Sequence, residues 1–87
     1  MRITQIDFEG RAGYYATATR PVTAPGTIDV AILTPDVPNG RGHTVQADCE
    51  DDIWSMADCL HHELEGCKGT RGDIDEYYQA LLRLSDC

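Results

Sequence analysis

Apolar and polar residues alternate through the first half of the chain and fall on a helical period in the second. Thr4, Ile6 and Phe8 alternate with Gln5, Asp7 and Glu9, the two-residue repeat of a strand with one face turned inward. Gly10-Arg11-Ala12-Gly13 reads as a short turn whose two glycines can take positive φ. Tyr14–Arg20, rich in Tyr and Thr, reads as the returning strand of a hairpin. There Tyr15, Thr17 and Thr19 alternate with Tyr14, Ala16 and Ala18. The small alanines suit a face that a helix approaches closely, although the alternation itself does not choose the inward side.

Pro21–Gly26, with two prolines and a glycine, predicts a loop. Thr27–Thr34 is the clearest strand, Ile28, Val30 and Ile32 alternating with Asp29, Ala31 and Leu33, and is expected near the centre of a sheet. Pro35–Gly42 is a second loop, with Asn39-Gly40 its strongest tight-turn signal. His43–Asp48 follows as a short strand, with Val45 and Ala47 on one side and Thr44 and Gln46 on the other.

From Asp48 the period changes. Ile53, Met56, Ala57, Leu60 and Leu64 stand at i, i+3, i+4, i+7 and i+11, one stripe of a helix, while Asp51, Ser55, Asp58 and His62 form the opposite face. Asp48 is placed to serve as N-cap, Glu50, Asp51 and Asp52 favour the positive end of the helix dipole, and Gly66 suits a left-handed C-cap. After a basic connector, Cys67–Gly72, the capping-box spacing of Asp73 and Glu76 starts a second helix with Ile74, Tyr77, Tyr78, Leu81 and Leu82 on its stripe. Strands therefore occupy about 2–48 and helices about 49–65 and 74–84. The expected fold is α+β: an antiparallel sheet of three to four strands in the N-terminal half, packed on one face by two C-terminal α-helices in a single compact domain of residues 1–87.

Charge sharpens this division. The chain of 87 residues carries a net charge of −8, and the residues before Asp48 contribute none of it: Asp7, Glu9, Asp29 and Asp36 balance Arg2, Arg11, Arg20 and Arg41. From Asp48 onward eleven acids face only Lys68, Arg71 and Arg83. Such a field repels nucleic-acid phosphates and draws in basic surfaces, so direct binding to nucleic acid is not expected. No apolar run follows Met1 and no stretch of about 20 apolar residues exists, which predicts a cytoplasmic chain with reduced thiols and no membrane contact.

Candidate chemistry is sparse. A domain this small buries only about two-thirds of its unfolded surface and leaves little room for an enclosed substrate site. Cys49, Cys59, His61, His62 and Cys67 are of the right types for zinc, and Cys59 and His62 are three apart on one helix. A helix between Cys49 and Cys67 separates them by about 25 Å, however, and neither a Cys-x₂-Cys nor a His-x₃-His pair is present. The same cysteine lacks the setting of a nucleophile, because Asp52, Asp58 and Glu63 raise a neighbouring thiol's pKa rather than depress it. Capping accounts for Asp48, Glu50, Asp51, Asp73 and Glu76, and Gly66-Cys67-Lys68-Gly69-Thr70 lacks the pattern of a phosphate loop.

These observations predict a non-enzymatic binding protein without a cofactor. Glu50, Asp51, Asp52, Asp58 and Glu63 would engage a basic protein surface, such as that of a nucleic-acid-binding complex, with Trp54 on the helix flank as aromatic anchor or packed against Tyr77 and Tyr78. In size, acidity and lack of a catalytic constellation the chain resembles small virus-encoded or mobile-element inhibitors, anti-CRISPR proteins among them. That resemblance of class implies carboxylates presented in place of nucleic acid. The chain is expected to be a monomer or homodimer, and two alternatives stand beside this reading: a metal-binding or thiol-dependent regulator using Cys49, Cys59, His62 and Cys67, and a structural subunit that assembles through a sheet edge.

Overall fold

A computed structural model describes residues 3–66 and 71–86. Four strands, β1 (Gln5–Glu9), β2 (Tyr15–Thr19), β3 (Thr27–Leu33) and β4 (Arg41–Gln46), precede two helices, α1 (Glu50–Glu65) and α2 (Arg71–Leu82). The strands form an antiparallel meander in the order β1-β2-β3-β4, so each pairs with its neighbour in sequence and β3 is an interior strand.

The register aligns the apolar positions in rows. Phe8, Ala16 and Ile32 lie side by side, as do Ile6, Ala18 and Val30, and Ile28 pairs with Val45. That face lies beneath the helices. Ala16 and Ala18 are buried, which settles the inward side of β2: a methyl group leaves room for α1 to approach the sheet. Ile53, Met56, Ala57, Leu60 and Leu64 bury the stripe of α1, and Leu81 and Leu84 close the core from α2 and the turn after it. Each fully buried Ile or Leu contributes roughly 1.5–3 kcal/mol relative to its exposed state. The other sheet face is open and polar, with Thr17 donating to Asp7 at 3.1 Å and Thr44 to Asp29 at 3.1 Å.

Several boundaries differ from expectation. The Cα register pairs Ile32 with Arg41 and Ala31 with Gly42, so β4 begins two residues before His43. The N-cap of α1 is Cys49, not Asp48: Cys49 has extended backbone angles and makes no side-chain cap bond, while its carbonyl accepts the amide of Ile53 at 3.1 Å. Helix α2 starts at Arg71 and ends at Leu82 rather than spanning 74–84. Asp73 therefore sits within its first turn, where it favours the dipole, rather than at the position before the helix. Arg71 and Gly72 belong to α2, while Cys67–Thr70 of the expected connector lies outside the described residues.

Of the two glycines in the first turn only Gly13 takes positive φ. Gly10 is required for space, since a Cβ there would stand 2.5 Å from the carbonyl oxygen of Leu64. That close approach lets the Arg11 amide donate to the same carbonyl at 2.9 Å, tying the first hairpin to the end of α1. Gly66 ends α1 in the left-handed conformation as expected, its amide donating to His62 at 2.9 Å.

Arg20 fastens the end of the chain to the sheet. Its Nε donates to the Pro25 carbonyl, Nη1 to the Leu84 carbonyl and Nη2 to the Asp86 carboxylate, each at 2.6 Å. The Asp86 amide completes the attachment by donating to the Ala47 carbonyl at 2.8 Å.

Candidate functional site

Helix α1 sorts its polar residues by the element each one meets. Asp51, Ser55, Asp58 and His62 are exposed along the outward stripe, with Asp48, Glu50 and Asp52 exposed at its N-terminal end. Among the described residues Glu50, Asp51, Asp52 and Asp58 form no ion pair. Two of the described arginines are engaged elsewhere: Arg20 by Asp86, and Arg11, which lies 3.8 Å over the Tyr14 ring while reaching the Glu63 carbonyl at 3.4 Å. Glu63 is half-buried on the side of the helix that faces the first hairpin and β4.

The flank carrying Trp54, His61 and Glu65 is an interface between helices. Trp54 is half-buried and meets Tyr78 edge-on with ring centroids 5.1 Å apart, an arrangement contributing roughly 0.5–1.5 kcal/mol beyond area burial. His61 is buried, 6% exposed, with its ring 6.2 Å from Tyr77 and its Nε2 3.6 Å from the Glu65 carboxylate. That nitrogen has no hydrogen-bond partner among the described residues. Burial, followed by the charge and hydrogen bond of Glu65 and the charges of Glu76 and Asp73, pushes the Tyr77 phenol up to about 12. The apolar stripe of α1 does not include His61, so its burial is not visible in that period. The signal that could have buried it is the second stripe, Trp54, His61 and Glu65 at i, i+7 and i+11, offset from the first and able to meet Tyr77 and Tyr78.

Cys59 faces β4 and shares its surroundings with His43, while His62, three residues on, points outward. Burial pushes the Cys59 thiol up, and the Glu63 and Asp58 carboxylates push it further, so it is protonated at neutral pH and is not an activated nucleophile. Cys49 and Cys59 are free thiols. Among the described residues no three His, Cys, Asp or Glu side chains converge as metal ligands; Cys67, the fourth candidate, lies outside them.

Between α1, the first turn and the β3–β4 connection is a half-open cavity of about 240 Å³. Its wall carries Arg11, Arg41, Asp36 and Glu63 around Tyr14 and Cys59, with Ile32 and Val37 supplying apolar surface. None of the described helices is long and apolar enough to cross a membrane. Comparison of the chain with protein-family models, curated proteins and solved structures gives no match.

Proposed function

We propose that the protein is a non-enzymatic binding module that presents the outward face of α1 to a positively charged protein surface, in the manner of an inhibitor occupying a nucleic-acid groove. The observation that carries this reading is the exposed, unpaired set Glu50, Asp51, Asp52 and Asp58 on one rigid helix. A helix holds carboxylates at fixed intervals with little further loss of side-chain freedom, and a net charge of −8 speeds encounter with a cationic partner at low salt. Glu63, half-buried and turned toward the first hairpin and β4, lies beside this face rather than on it. Trp54, held by Tyr78 and half-exposed beside the stripe, is the aromatic anchor.

The test is affinity capture from a lysate of the source organism at low and high salt, using the natural chain and an Asp51→Lys, Asp52→Lys, Asp58→Lys variant. These three residues are exposed, so the fold should persist. The expected result is a basic partner retained at low salt and bound at least about tenfold more weakly by the variant. Capture of the same proteins by both chains, with the same salt dependence, would overturn the proposal.

A further inference from the structure

The cavity beside α1 carries charges of both signs that do not neutralise one another. Arg41, Asp36 and Glu63 all line it, yet among the described residues none of their side chains forms an ion pair or hydrogen bond. The fold holds them apart. Arg41 starts β4 and is fixed by its pairing with Ile32. Asp36 sits in a turn closed by the Val37 amide donating to the Thr34 carbonyl and the Thr34 amide donating to the Val37 carbonyl. Glu63 is carried on the last full turn of α1. Arg11 joins them in the wall, its guanidinium carbon 3.8 Å from the centre of the Tyr14 ring.

We propose that this cavity binds a small zwitterion, a free amino acid or a molecule with the same pairing of carboxylate and ammonium. With His43, which also lines the cavity, counted as neutral, two guanidinium groups and two carboxylates give the wall no net charge, which sets it apart from the strongly negative remainder of the chain. A simple anion would be repelled by Asp36 and Glu63, and a simple cation by Arg11 and Arg41. A zwitterion satisfies both: its carboxylate can lie against the flat donor array of arginine and its ammonium against a carboxylate. The protonated Cys59 thiol preserves this balance, since a thiolate would add a third negative charge. Size agrees with this ligand class. The volume of about 240 Å³ is below the roughly 300–1,000 Å³ of pockets for drug-sized ligands. Tyr14, Ile32 and Val37 offer an apolar wall to the ligand's side chain.

The experiment is an amide-resolved NMR titration of the full chain with each of the common free amino acids. Those that bind are then compared with their N-acetyl and methyl-ester derivatives and with inorganic phosphate. At least one free amino acid should saturate shifts at the amides of Arg11, Asp36, Arg41 and Glu63. Capping either charge, or substituting Arg41→Gln or Asp36→Asn, should weaken binding at least about tenfold, as loss of one charged hydrogen-bonding partner does. Arg41 and Asp36 are exposed, and an unchanged amide spectrum away from the cavity checks that both variants fold. The proposal is overturned if no amino acid saturates these amides, if binding survives both caps and the Arg41 variant, or if phosphate binds as well as the zwitterion. The outward stripe of α1 takes no part in this test, so the two proposals stand or fall separately.

Discussion

His61 and Tyr77 acquire their surroundings from each other's helix: the period of α2 puts Tyr77 on its stripe, but only the packing of the two helices buries His61 beside it. A histidine at the edge of an amphipathic stripe is compatible with water until a second helix covers it, and the Glu65 hydrogen bond to Tyr77 joins residues from both helices. Tyr77 makes the consequence measurable. A phenol held up to about 12, against an ordinary 10, favours the folded state while protonated. Its contribution is fully present below pH 10 and is lost as pH rises from 10 through 12, because the unfolded chain ionises first. Tyr77→Phe should therefore be less stable than the natural chain at neutral pH, by about 1 kcal/mol for the lost hydrogen bond. That advantage should shrink as pH rises above 10 and reverse on approach to 12. Urea unfolding midpoints across that range check this, and a difference that does not change with pH would contradict it.

At the scale of the element, period was legible and ends were less so. The stripe of α1 and the alternation of β3 are each carried by several apolar residues, and all of those inward positions are buried. A cap depends on one residue's backbone angles, and Asp48 and Cys49 compete for the same end. The structure gives that position to the side chain less able to accept a hydrogen bond. Cys49→Ser should therefore stabilise the protein by about 0.5–1 kcal/mol, because a hydroxyl there can accept an amide of the first turn. Thermal unfolding under reducing conditions measures it, and a lower melting temperature would show that packing of the thiol outweighs the cap. The start of β4 was obscured for a related reason. Arg41-Gly42 has loop composition, and only its register with Ala31 and Ile32 makes it strand.

For the whole molecule, a sheet followed by helices implied the layer architecture, and the charge difference between the two halves implied an acidic helical surface. The cavity was not legible, because its wall comes from the first turn, β3, the β3–β4 connection, β4 and α1, and no local spacing announces their meeting. Long-range closure by Arg20 was equally hidden, since its acceptors lie at Pro25, Leu84 and Asp86. Arg20→Gln should cost about 2–3 kcal/mol, and Arg20→Lys should recover little of it, since one ammonium cannot span acceptors that the guanidinium reaches in three directions. Urea unfolding gives the loss, and amide exchange at Asp86 should accelerate in both variants; a loss below about 0.5 kcal/mol would show that the attachment adds nothing to stability.

Strand order also has a consequence for biosynthesis. Every strand of the meander precedes both helices, so a ribosome releases Ile28, Val30 and Ile32 before any of the residues that will cover them. The segment that carries the strands also has no net charge, because the excess of carboxylates begins at Asp48. While the nascent chain waits for α1, neither a covering layer nor electrostatic repulsion keeps its apolar sheet face from that of a neighbouring chain. Both protections arrive with the same helix.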